Sequence, residues 1–149
     1  MTSRLKFRNV DADPAAPVET WPIEGLRAAL ERGSLTDYRR VAAAIRRDPW
    51  GDVARRVEQV LSFTAPYGSA VLLRRAIGRA RAQHDADARA EVAALLRRAV
   101  SDSSLTQAAF ARRLGTSASR LSTYLSGDVT PSASMLVRAQ RLAREARST

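Results

Sequence analysis

The chain has no cysteine, a single histidine (His84) and a single lysine (Lys6). Without thiols there is no disulfide framework, no thiol nucleophile and no cysteine-ligated zinc. His84 has no second imidazole to help it hold a metal, and the carboxylates are scattered among arginines in the manner of surface ion pairs. Neither G-x-x-x-x-G-K nor G-x-S-x-G occurs, so the phosphate-cradling loop and the nucleophile elbow are both missing. We expect no enzyme, no metal and no cofactor.

Aromatic residues are also scarce, at 5% of the chain, while Ala and Leu dominate the apolar set. Such side chains favour close-packed helices over a sheet. An all-α fold is expected, and 149 residues allow one modest core or two very small ones. No apolar run reaches the roughly 18 residues of a membrane helix. The start, MTSRLKFRNVDADPAAP, lacks the long apolar core of a signal peptide. The expectation is a soluble, cytoplasmic protein with no membrane partner.

What the chain has in excess is arginine. It carries 25 basic against 15 acidic residues, a net charge of +10, which favours a polyanionic partner, nucleic acid first among them. The arginine fork binds phosphates and base edges in ways an ammonium cannot. An Arg- and Ala-rich composition also arises from a GC-rich genome, with the charge largely solvated. Composition alone leaves both readings open.

Punctuation divides the chain into three stretches. Residues 1–19, with Pro14 and Pro17 close together and few apolar positions, read as a flexible arm. Its basic start, Arg4, Lys6 and Arg8, is either solvated or touches DNA. Residues 20–84 read as a helical domain for dimerisation or partner binding. Pro22 suits a first helical position, and Ile23, Leu26 and Leu30 form a stripe ending at Gly33. Ser34 or Thr36 caps a second helix with Leu35, Tyr38, Val41, Ala42 and Ile45 inward and Arg46 and Arg47 at its negative end. Asp48-Pro49 stops it. Trp50, Val53, Val57, Val60 and Leu61 repeat at helical spacing in a third helix.

Ala65-Pro66-Tyr67-Gly68 marks a break before a helix over residues 69–83, with Val71, Leu72, Ala76, Ile77 and Ala80 as its apolar side. A small antiparallel bundle is the simplest arrangement. His84-Asp85-Ala86-Asp87 has two readings. It is a joint, with Asp85 or Asp87 capping a helix that bears Val92, Leu95, Leu96 and Ala99, or it is the interior of one rod.

Residues 85–149 hold the most specific pattern. Residues 105–127, LTQAAFARRLGTSASRLSTYLSG, read as two short helices around a tight turn, the layout of a helix-turn-helix. Thr106 caps the first, which runs to Leu114 with Leu105, Phe110, Ala111 and Leu114 as apolar contacts. Gly115 fits the left-handed position just past a helix end. Ser117 caps the second helix, whose Leu121, Tyr124 and Leu125 point inward. Ala118, Ser119, Ser122 and Thr123 remain on the other side, short and uncharged, beside Arg120.

Thr106-Gln107, Ala111, Leu114-Gly115, Leu121, Gly127 and Pro131-Ser132, at these spacings, resemble the lambda-repressor-like (Xre/Cro-type) DNA-binding family. The resemblance covers roughly residues 86–146, within the boundary error of reading one sequence. The expected fold is all-α, a small N-terminal helical bundle followed by a C-terminal four- to five-helix domain; the resemblance implies that the latter binds double-stranded DNA at a bacterial nucleoid and says nothing of the residues before it. It places Ala118, Ser119 and Thr123, with Ser122 beside them, against base edges in the major groove. Gln107 and Ser117 would grip phosphate.

Chemistry agrees with these roles. The hydroxyls of Ser119 and Thr123 can bond a base edge, and Ala118 or the Thr methyl can meet a thymine methyl. Gln107, and the hydroxyls of Thr106, Thr130 and Ser132, stand where free helix N–H groups already favour an anion. Arg120 either forks onto guanine or clamps the backbone, and the family pattern favours the backbone. An ordinary polar helix face is the plain alternative for Ser119, Ser122 and Thr123.

The recognition face has no Gln or Asn to read adenine, so readout per half-site is thin. A homodimer on an inverted repeat is expected, through Met135, Leu136 and Leu142 of the last helix or through the front bundle. Those residues otherwise complete the domain's own core, the preferred reading for Leu136. Three functions fit. The first is a transcriptional regulator, a repressor by preference. The second is an antitoxin that autoregulates its promoter and covers a toxin with residues 20–63, using Trp21, Tyr38 and Trp50 as anchors unless these are core. The third is an interaction protein whose helix-turn-helix no longer reads DNA.

Overall fold

The computed structural model describes residues 5–8, 10–63 and 68–148. Arg4 and the expected break at Ala65, Pro66 and Tyr67 lie outside them. The described residues are all-helical: a 3-10 turn at Val18–Thr20, then α1 (Ile23–Arg32), α2 (Leu35–Arg47), α3 (Asp52–Phe63), α4 (Ser69–Asp102), α5 (Gln107–Leu114), α6 (Ala118–Ser126) and α7 (Ala133–Arg147). They fall into two compact units, Met1–His84 and Asp85–Thr149. Among the described residues no helix is long and apolar enough to cross a membrane.

The first unit closes around Trp21, Leu26, Val41, Ile45, Val57 and Leu73, all fully buried. Ser34 is the cap of α2. Its hydroxyl accepts from the Asp37 N–H, and the Asp37 carboxylate accepts from the Ser34 N–H at 2.9 Å, a reciprocal pair that satisfies two free donors. Helix α4 runs antiparallel to α3, because Arg74 donates to the Leu61 carbonyl at 2.7 Å while Arg81 reaches back to Glu58 and to the Pro49 carbonyl. Glu19, bonded to its own backbone N–H and then to Arg47, has its carboxyl held below the usual range.

Four expectations for this unit change. Residues 5–8 and 10–19, expected as part of a flexible arm, pack against the unit. Leu5 and Val18 are buried, Phe7 meets Trp21 edge-on at 5.2 Å, and Arg40 ties the segment down by donating to the carbonyls of Pro14 and Ala16. Leu5, Phe7, Val10 and Val18 are enough apolar surface to pin a short segment once Trp21 is there to receive it. Leu35, expected inward, is 63% exposed, since it is the first residue of α2 and lies at the helix end rather than over its buried middle. Trp50, also expected inward, precedes α3 and is 48% exposed, its ring beside His84 and the Arg81 guanidinium. The apolar side of α4 is only partly the expected one: Ile77 and Ala80 are buried, together with Ala70 and Leu73, but Val71 and Leu72 are exposed.

Helix α4 has no interruption at residues 84–87. Ala82, Ala86, Ala88 and Ala90 keep helix propensity high there, and neither Asp85 nor Asp87 is needed as a cap. In the second unit, α5, α6, α7 and the end of α4 share one core of Leu96, Ala99, Phe110, Ala111, Leu114, Leu121, Tyr124, Ala139 and Ala143. Met135 and Leu142 are partly buried against that core. Leu136 is half-buried.

Candidate nucleic-acid interface

Helices α5 and α6 are set by their ends. The Thr106 hydroxyl accepts from the Ala109 N–H at 3.2 Å and starts α5. Gly115, at φ 84°, ends it by donating to the carbonyls of Ala111 and Arg112. A side chain at this left-handed φ would be strained, which is why glycine suits the site. Two residues later the Ser117 hydroxyl accepts from the Arg120 N–H at 3.1 Å and opens α6. The turn between the helices is therefore three residues long, closed by one αL glycine and one serine cap.

Burial decides which face α6 presents. Leu121 and Tyr124 are buried and Leu125 is partly buried against the same core. At the far end, Arg97 of α4 donates to the Leu125 carbonyl at 2.6 Å, a cation at the negative end of the helix. Gly127, at φ 83°, then turns the chain beside α4, where a Cβ would make an ordinary contact with that of Ala93 at 3.7 Å. The Ser132 hydroxyl accepts from the Met135 N–H at 3.2 Å and starts α7.

The four base-facing candidates share α6. Ala118, Ser119 and Ser122 are exposed; Thr123 is half-exposed, its hydroxyl donating to the Arg120 carbonyl at 2.8 Å. That bond uses the hydroxyl proton and leaves the oxygen free to accept from a base. Thr106, Gln107, Ser117, Arg120, Thr130 and Ser132 are all exposed. Thr106, Ser117 and Ser132 each accept one backbone N–H; the Thr106 and Ser117 hydroxyls keep a proton to donate, while the Ser132 hydroxyl also bonds that of Ser134 at 3.1 Å, either of the two serving as donor. Three of the proposed phosphate contacts are thus helix caps first, and Thr106 and Ser117 have a donor to spare.

Two contributors are visible only in the structure. Arg97 is 28 residues from its acceptor, so no local pattern announces it. Tyr124, legible as a core residue, also accepts from Arg120 Nε at 3.2 Å. The charge is not confined to this unit. Residues 85–149 hold ten arginines and six carboxylates, and residues 1–84 hold fifteen basic and nine acidic side chains. Among the described residues no group of three or more His, Cys, Asp and Glu side chains is placed to hold a metal ion.

A family model described as a helix-turn-helix domain matches residues 91–147, less than half of the chain. That span carries a helix-turn-helix DNA-binding domain, and its two central helices are α5 and α6. No curated protein and no solved structure matches the chain.

Proposed function

We propose that this chain is a sequence-specific transcriptional regulator of the lambda-repressor-like type, a repressor that binds an inverted repeat as a homodimer in a bacterial cytoplasm. The observation that supports it most is the exposed face of α6. Ala118, Ser119, Ser122 and Thr123 present short uncharged groups on a helix whose other side is locked into the core. Short side chains let a helix approach the groove floor closely, and their hydroxyls and methyls match base edges. The cap hydroxyls of Thr106, Ser117 and Ser132, with Gln107, Thr130 and Arg120, supply donors for the phosphates that fix its register. In this reading the chain performs no catalysis.

One such face is a thin reader, so two half-sites about one helical turn apart supply the rest. The variant Ser119→Ala with Thr123→Ala tests the assignment. It is expected to lose preference for one sequence while keeping salt-sensitive general binding. Full discrimination by the double variant would overturn it.

A second reading, an antitoxin that binds a toxin with its front bundle, draws on the apolar side chains exposed there. Phe63 is 81% exposed, and Leu35, Leu72 and Trp50 are open as well. Of the three expected anchors only Trp50 is available, because Trp21 is fully buried and Tyr38 packs on the core. Rescue from a toxic neighbouring gene product by the full chain, but not by residues 85–149, would favour this reading over the first.

A further inference from the structure

We infer that Tyr124 is a positioning residue that holds Arg120 on the flank of α6 as a clamp for a DNA phosphate. The inference rests on the DNA-reading role proposed above and deepens it by separating the part of α6 that reads bases from the part that grips the backbone.

Arg120 is the hub of the hydrogen bonds along α6. Its N–H donates to the Ser117 hydroxyl at 3.1 Å, its carbonyl accepts from Thr123 at 2.8 Å, and its Nε donates to the Tyr124 phenol at 3.2 Å. The ring of Tyr124 is 6% exposed and lies in the core with Phe110, Leu114 and Leu121. A phenol on a packed ring has a fixed position, whereas an unrestrained arginine samples many rotamers. One bond to Nε therefore orders the guanidinium and still leaves the four Nη–H donors open. Among the described residues no carboxylate lies within 4 Å of Arg120, in contrast to Arg27, Arg47 and Arg81.

The direction of the tether decides between the two roles open to this arginine. At about 100° per residue, Ser119 and Thr123 sit close together on the side of α6 opposite Leu121, and Arg120 lies about 80° round from them, next to Tyr124. Helical side chains lean toward the N-terminus by default. Tyr124, leaning back by one turn, brings its phenol to Arg120 at the border between the exposed face and the core. A group at the border of a groove-bound helix meets the phosphate wall, while Ser119 and Thr123 face the floor where the bases lie. Tyr124 keeps Arg120 from swinging onto a guanine.

The test is a double-mutant cycle on the full chain. Arg120→Ala, Tyr124→Phe and the double variant are compared with the parent for binding to duplexes of several arbitrary sequences across a salt series. Arg120→Ala is expected to weaken binding about three- to tenfold on every duplex and to reduce the salt slope by about one. Tyr124→Phe, which keeps the packed ring, weakens binding about two- to fivefold in the parent and not at all in the Arg120→Ala background. Arg120→Lys keeps the charge but has no guanidinium Nε–H to meet the phenol; it is expected to weaken binding about two- to fivefold with the salt slope unchanged, a readout that does not need the phenylalanine variant.

Equal effects of Tyr124→Phe with and without Arg120 would overturn the positioning role. A change in sequence preference without a change in salt slope on Arg120→Ala would make Arg120 a base reader and overturn the clamp. If the parent itself binds no duplex, the DNA-reading role fails and the inference falls with it.

Discussion

Arg97 of α4 donates to the carbonyl oxygen of Leu125 at 2.6 Å, 28 residues away in sequence. The last carbonyls of a helix have no partner within it, and a guanidinium there both satisfies one and opposes the negative end of the dipole. The bond fixes the C-terminal turn of α6, whose N-terminal turn is fixed by Ser117. Arg97→Ala should cost about 1 kcal/mol in stability. It should also loosen the amides of residues 124–127 in hydrogen exchange more than those of α5. Uniform protection across α5 and α6 in the variant would show that the bond contributes nothing to holding the helix.

Capping and phosphate contact make separable demands on Ser117. Aspartate caps as well as serine does, but it puts a negative charge where a phosphate would sit. Ser117→Asp is expected to melt at or slightly above the parent temperature and to lose DNA binding at least tenfold. Ser117→Ala should lose about 1 kcal/mol of stability and bind more weakly to a smaller degree. Thermal unfolding beside a binding titration checks both. An aspartate variant that binds DNA normally would place the N-terminus of α6 away from the backbone.

Gly115 is left-handed at φ 84°, with only the Arg138 guanidinium near the space a Cβ would fill, at 3.8 Å. Space is therefore not the obstacle, and backbone strain is. Gly115→Ala should destabilise the second unit by about 1–2 kcal/mol, and Gly115→Asn by less, because asparagine tolerates this conformation better. Chemical denaturation of the two variants measures the difference. Equal costs would mean that something other than φ is responsible.

Leu72 and Leu73 are adjacent, and only Leu73 is buried, at 0% exposure against 49%. Leu73→Ala should cost about 2–5 kcal/mol. Leu72→Ala should stay within about 0.5 kcal/mol of the parent. The reverse ranking in a denaturant titration would place the other face of α4 on the core.

These two leucines show where the sequence stops being readable. The run AVLLRRAIGRA offers apolar residues on more than one side of a helix, and only the core that the rest of the unit supplies decides which side is buried. Leu35 and Trp50 fail for a related reason. Each matches the periodicity of a helix, but Leu35 stands at its first residue and Trp50 before it, where periodicity no longer implies burial. The caps and turn of the helix-turn-helix were legible because their chemistry is local: Thr106 and Ser117 each bond an N–H three residues on, and Gly115 needs only its own φ. The Arg97 and Tyr124 bonds were not, the first because it is long-range. The second was hidden because a tyrosine at an apolar position reads simply as core.

The most direct test of the central claim is selection of duplexes from a random library by the purified full-length protein at about 150 mM salt, where non-specific phosphate binding is suppressed. The account predicts enrichment of an inverted repeat whose half-sites lie about one helical turn apart, with the preference lost on Ser119→Ala plus Thr123→Ala. Recovery of a library with no enriched sequence would contradict it, and would leave α6 as a surface that reads no DNA.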